Sequence, residues 1–133
     1  MSILGVRIEL FVNDVEHSAR FYREVLGFRP ERDVDETGYL AISSGALTIG
    51  LQGHAKLPSG HHFRREHFGG PRGVGVEIQI EVDDVDALYA RAVTTAPALG
   101  AGIEPIGDRS WGLRDFRLID PDGYYLCISS PQA

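Results

Sequence analysis

One stretch of this chain is written twice. Val6-Arg7-Ile8-Glu9-Leu10-Phe11-Val12-Asn13-Asp14-Val15 returns as Val76-Glu77-Ile78-Gln79-Ile80-Glu81-Val82-Asp83-Asp84-Val85. Each copy reads as a strand running into a helix. Ile8, Leu10 and Val12, like Ile78, Ile80 and Val82, alternate at the two-residue period that turns one strand face onto a core. The intervening side chains occupy the other face, and they are polar: Arg7 and Glu9 in the first copy, Glu77, Gln79 and Glu81 in the second. Two related sheets that each keep such a face predict a wet, concave site.

The segments after each strand repeat as well. Asp14 is placed to cap a helix whose apolar stripe is Val15, Ala19, Tyr22 and Leu26, and Gly27 ends it. Asp84 caps a second helix with the stripe Val85, Leu88, Tyr89 and Ala92, and Pro97 lies beyond it. Three strands are predicted after the first helix, at about 29–34, 39–42 and 47–52. Three more come after the second, near 103–106, 114–119 and 124–129. Asp120-Pro121-Asp122-Gly123 joins the last two, with Pro and Gly at the second and fourth positions that a type I turn favours. The unit is β-α-β-β-β, made twice, which places the chain in the α+β class as one domain: module 1 at about 3–52, a connecting loop at 53–73, and module 2 at about 74–130.

With 133 residues, 43% of them hydrophobic, the chain can bury one core. Its single cysteine excludes an internal disulfide, and no apolar run reaches the ~18 residues of a membrane span or the pattern of a signal peptide. A cytoplasmic protein without a membrane partner is the expectation. The net charge of −6 argues against nucleic acid, because a phosphate backbone is bound by clustered Lys and Arg.

The connecting loop is longer than an ordinary connection. It holds four of the five histidines, His54, His61, His62 and His67, interleaved with Phe63, Phe68, Lys56, Arg64, Arg65 and Arg72. Such a segment can offer aromatic and cationic contacts over a pocket, with Phe63 a candidate ligand contact. It lacks the helical i, i+4 histidine pair or the Cys-x-x-Cys pattern of a zinc site.

In this order and spacing, the motifs resemble those of the glyoxalase/bleomycin-resistance/dioxygenase superfamily, also called vicinal oxygen chelate proteins. The resemblance rests on Phe11-Val12-Asn13-Asp14 with Ser18, Phe21-Tyr22 and Leu26-Gly27-Phe28, then on Ile80-Glu81-Val82-Asp83-Asp84-Val85-Asp86. Its third part is Trp111-Gly112-Leu113-Arg114-Asp115-Phe116 leading into Asp120-Pro121-Asp122-Gly123, which looks most like bleomycin-resistance-type members. The resemblance implies two βαβββ modules forming curled mixed sheets around a shared cavity, usually within a homodimer.

That superfamily carries both metal enzymes and metal-free binders, so the site residues must decide between them. The resemblance places the usual metal-ligand positions at Arg7, Gly50, Glu77 and Cys127, with Gln52 on the same face as Gly50. Arg offers no lone pair and Gly no side chain, while Glu77 and Cys127 differ in softness. The expectation is therefore a metal-independent protein, without cofactor or catalytic residue, that binds or sequesters an antibiotic-like small molecule. The alternative is a metal-dependent lyase, isomerase or dioxygenase, or a metal-free enzyme with Glu9 or Glu77 as general base. Candidate ligand contacts are Arg7, Glu9, Gln52, Phe63, Glu77, Gln79, Trp111 and Cys127. Arg7 and Glu77 are expected to pair across the former metal position, or Arg7 to hold a ligand carboxylate or phosphate. Cys127 reads as a small buried side chain and Trp111 as a stacking platform at the cavity edge.

Overall fold

The computed structural model describes all 133 residues and arranges them as two four-stranded mixed sheets with a helix on each. Module 1 comprises β1 (Ile8–Val12), α1 (Val15–Leu26), β2 (Arg29–Pro30), β3 (Tyr39–Ser44) and β4 (Leu47–Gly53). Module 2 comprises β5 (Glu77–Glu81), α2 (Val85–Thr95), β6 (Gly102–Asp108), β7 (Leu113–Ile119) and β8 (Tyr125–Pro131). The sheet orders, β1-β4-β3-β2 and β5-β8-β7-β6, are the same arrangement drawn twice, with the first strand of each module parallel to its last. The α+β expectation and the doubled unit are both met. The second strand is shorter than its pattern predicts: regular pairing covers Arg29 and Pro30, Glu31 N–H still reaches Ala41 O at 3.1 Å, and residues 31–38 run on as loop and turn.

Alternation sorts the side chains as the sequence requires. Leu10, Val12, Ile49, Leu51, Ile78, Leu126 and Ile128 point beneath the sheets and join one core with Phe21, Tyr22, Val25, Val85 and Phe116. The helices lie on that side and touch each other. Arg91 of α2 donates to the carbonyls of Glu24 (2.6 Å) and Arg23 (3.0 Å), placing a cation at the C-terminal end of α1. Asp14 and Asp84 both cap as expected, accepting from His17 N–H at 3.1 Å and Ala87 N–H at 3.0 Å.

A buried polar clasp ties the modules together at the end of β1. Asp122, in the turn between β7 and β8, accepts from the backbone N–H of Asn13 (2.8 Å), from the hydroxyl of Ser18 (3.3 Å) and from Arg72 Nη1 (3.0 Å). Arg72 also donates to Asn13 Oδ1 (2.7 Å) and to the carbonyls of Phe68 (3.1 Å) and Phe11 (3.3 Å). Beside it the Tyr124 hydroxyl accepts from Phe11 N–H (3.1 Å) and donates to Phe11 O (2.9 Å). The turn is the one expected, closed by Gly123 N–H on Asp120 O at 3.0 Å. Gly123 has φ +100°, and a Cβ there would press on Pro71 at 3.0 Å. The close approach of loop and turn therefore requires glycine.

The Arg72 and Asp122 side chains are only 6% and 4% exposed. Removing one partner should leave the other charge uncompensated, so Asp122→Ala is expected to cost about 3–5 kcal/mol in urea denaturation. Asp86→Ala, which breaks the exposed pair with Arg114, should change stability little by the same measurement.

Asp120 provides a second expectation. Burial pushes its carboxyl from 3.8 up to about 6, against the opposing hydrogen bonds from Tyr22 Oη (2.7 Å) and the N–H groups of Tyr124 and Asp122. A folded state that holds the proton more tightly than the unfolded chain loses stability as pH rises between these values. The contribution should be fully present below about pH 4 and lost above about pH 6, a change on the order of 3 kcal/mol. Asp120→Asn should flatten the wild-type slope in urea melts across that window.

Candidate functional site

The polar faces lie opposite the helices, and each is organised within its own sheet. On module 1, register sets Glu9, Gly50 and Ala41 in one row across β1, β4 and β3, and Phe11, Gln52 and Tyr39 in another. Glu9 accepts the Tyr39 hydroxyl at 2.8 and 3.0 Å and pairs with Arg7 Nε at 3.0 Å, while Arg7 Nη2 reaches the same hydroxyl. Burial and the Glu9 contact raise the Tyr39 pKa. A Cβ at Gly50 would overlap both the Glu9 carboxylate and the Tyr39 hydroxyl. The missing side chain thus makes room for this polar array.

On module 2, Glu77, Gln79 and Glu81 lie beside Tyr125, Cys127 and Ser129 of β8, which lie beside Ile119, Arg117 and Asp115 of β7. Asp115 is 1% exposed, and its Oδ1 takes both Arg109 Nε (2.7 Å) and Arg117 Nη1 (2.9 Å). Arg117 Nε reaches Glu77 at 3.3 Å, and Gln79 donates to Glu77 at 3.5 Å. The Tyr125 hydroxyl donates to Glu104, which holds its proton and pushes its pKa up to about 12. Glu77, Glu104, Arg109, Arg117 and Tyr125 line an open cleft of about 640 Å³. Arg109 and Arg117 bring guanidinium donors to it and Glu77 and Glu104 carboxylate acceptors, so the cleft suits a polar ligand carrying both kinds of group.

The donors do not fit a divalent metal. No three His, Cys, Asp or Glu side chains gather in a way that could hold one. At the positions marked by the sequence, Arg7 is cationic and Gly50 carries Glu9 and Tyr39 above it. Glu77 is engaged by Arg117, and burial pushes the Cys127 thiol up to about 11, away from the thiolate a metal requires. Glu9 and Glu77 are each held by an arginine.

The expected pair of Arg7 with Glu77 is not formed. Each finds a partner on its own sheet: Arg7 takes Glu9 on its own strand and Tyr39 on β3, and Glu77 takes Arg117 on β7. Arg7 is 48% exposed and so is not a buried charge awaiting compensation. Gln52 donates to the carbonyls of Thr37 (2.8 Å) and Gly53 (3.0 Å), fastening the turn before β3. Cys127 is buried beneath Arg117. Phe63 belongs to the connecting loop and packs edge-on against Phe11 at 4.8 Å. Trp111 is 63% exposed in the turn between β6 and β7 and lines none of the larger cavities. Tyr39, Arg109, Asp115 and Arg117 join the polar faces without having been expected there from sequence. For two of these a signal existed, because Asp115 and Arg117 alternate with Phe116 and Leu118 as Glu77 and Gln79 do with Ile78 and Ile80.

Trp111 is the only tryptophan, so its emission reports this turn. The emission of the free protein should be that of a solvated indole and should be quenched efficiently by iodide. A blue-shifted, quencher-resistant spectrum would place the indole under a partner surface instead.

Known proteins share this fold. The profile of the Glyoxalase/Bleomycin resistance protein/Dioxygenase superfamily matches residues 6–128. The fold superposes on a glyoxalase/bleomycin resistance protein/dioxygenase from Nocardioides with TM-score 0.72 at 20% identity, covering 98% of this chain and 85% of that one. A family enzyme from Burkholderia phytofirmans gives 0.71 at 20% identity, with 95% and 97% covered. A protein of unknown function from Agrobacterium tumefaciens gives 0.74 at 23%, with 99% and 97% covered. No curated protein sequence matches. At these identities the superpositions speak to the fold alone, while the profile spans nearly the whole chain: it belongs to the glyoxalase/bleomycin resistance protein/dioxygenase superfamily.

Proposed function

We propose that this chain is a metal-independent small-molecule binding protein of the bleomycin-resistance type, which holds an antibiotic-like ligand against the polar faces of its sheets. The observation that carries the reading is the Arg7–Glu9–Tyr39 array over Gly50. Where the metal-dependent members place a ligand atom, this chain places a glycine, and the space above it is taken by side chains already bonded to one another. On the second sheet, the Arg109–Asp115–Arg117–Glu77 array offers donors and acceptors fixed by their neighbours. Fixed polar groups recognise a ligand with little reorganisation. Catalysis needs no part in such a role.

Both polar faces lie open in the single chain, and small curved sheets of this kind need a covering surface to close a cavity. The reading therefore includes a homodimer, in which a second copy supplies that surface. A cytoplasmic location accompanies it. No helix of the chain is long and apolar enough to cross a membrane.

Three measurements test the proposal together. Elemental analysis of dialysed protein should find no stoichiometric Zn, Ni, Mn or Fe; one tightly held ion per chain would restore the metal-enzyme alternative. Sedimentation at micromolar concentration should give a dimer, and a monomer would remove the second wall. In calorimetry against basic glycopeptide antibiotics and aromatic metabolites, at least one compound should bind saturably, and Arg117→Ala should weaken it about ten-fold or more. Binding indifferent to Arg117→Ala would place the ligand elsewhere.

A further inference from the structure

The connecting loop reverses the charge of the molecule. The chain carries a net −6, yet residues 53–73 contain Lys56, Arg64, Arg65 and Arg72 against the single acid Glu66. Two of those cations are committed: Arg72 to Asp122, and Lys56 to the carbonyl of Glu36 at 3.4 Å. Arg64 and Arg65 enter no ion pair. Both line a cavity of about 790 Å³ with His54, His61, Phe63 and Phe68. We propose that this cavity is a second ligand site, which takes a planar aromatic anion with its ring on Phe63 and its carboxylate or phosphate on Arg64 and Arg65.

The rings are already held in place. Phe68 is already engaged, stacked on His54 at 4.6 Å and with the Arg72 guanidinium 4.9 Å from its centroid. Phe63 meets Phe11, His62 and His67 edge-on, at 4.8, 5.1 and 6.0 Å, and stays 38% exposed. It is the ring left to receive a partner. His61 accepts Phe63 N–H on Nδ1 at 3.0 Å, which places its own proton on Nε2 as a donor. His67 accepts Arg64 N–H on Nδ1 at 2.9 Å and so fixes the backbone that carries Arg64. Two guanidiniums, an imidazole N–H and an open phenyl ring form a set that rewards an anion carrying a flat apolar body. A cation would meet Arg64 and Arg65 with like charge, and a neutral ring would leave them unused.

This site does not depend on the sheet-face reading, and the test keeps the two apart. Calorimetry would compare 2-naphthoate, 2-naphthyl phosphate and neutral 2-naphthamide on the full chain, with urea melts to confirm that each variant folds. At least one of the anions should bind saturably at one per chain, with the amide at least ten-fold weaker. The double substitution Arg64→Ala/Arg65→Ala, and separately Phe63→Ala, should each weaken the anion ten-fold or more, whereas Glu77→Gln on the sheet face should leave it unchanged. A carboxylate-selective and a phosphate-selective result both support the site and tell the two anions apart. No saturable binding of either anion, equal affinity for the amide, full affinity in the double variant, or a loss in Glu77→Gln as large as that in the double variant would each overturn the proposal.

Discussion

The ion pair of Arg72 with Asp122 is the contact through which the two halves of this molecule know each other's position. It is buried, and Asp122 also carries the N–H of Asn13 and the hydroxyl of Ser18. One carboxylate thereby joins the end of β1, the first turns of α1, the connecting loop and the turn before β8. Buried pairs owe little of their worth to raw attraction, because desolvation consumes much of it. Their value lies in direction. Every hydrogen bond at this junction has one geometry, as do the two by which Arg91 fastens α2 to the end of α1.

Set against that junction, the polar faces obey an opposite rule. Charges on module 1 are answered within module 1, and charges on module 2 within module 2. Arg7, Glu9 and Tyr39 form one closed group, while Arg109, Asp115, Arg117 and Glu77 form another. Neither group needs the other sheet to stay in place. A ligand held on such faces, as proposed, would meet preformed partners rather than side chains that must first be recruited, because the entropy of ordering them has been spent in folding.

Much of this is legible in the chain alone, because period-two alternation and duplication are properties of the sequence itself. The core sides of β1 and β5, both aspartate caps and the Asp-Pro-Asp-Gly turn can be read directly. The glycine at position 50 is visible too, although the Glu9 and Tyr39 groups that fill its space are not. Pairing across sequence distance is the part that escapes. Nothing local says that Arg7 prefers Tyr39 to Glu77, since that depends on β3 lying beside β4. Arg72 looks like one more cation in a basic loop, and only its closeness to Asp122 makes it structural. Trp111 depends on its surroundings in the same way: a lone indole beside a glycine invites a stacking role, and the tight turn of β6 into β7 sets it on the surface of the single chain.

The connecting loop leaves and re-enters the body of the protein at almost the same place. Near its start, His54 Nε2 meets Asn13 Oδ1 at 3.0 Å; near its end, Arg72 meets the same oxygen at 2.7 Å. The segment between is a closed lasso whose neck is one asparagine amide. Covalent continuity through it is therefore not what holds the modules in register. A chain cut at the exposed stretch around Ser59 and Gly60 would present two fragments, each with a complete sheet and helix, and a ready set of contacts by which to find one another again. The duplication visible in the sequence survives in the folded protein as two sheet-and-helix halves that share one core, joined by a strap with room to be rewritten.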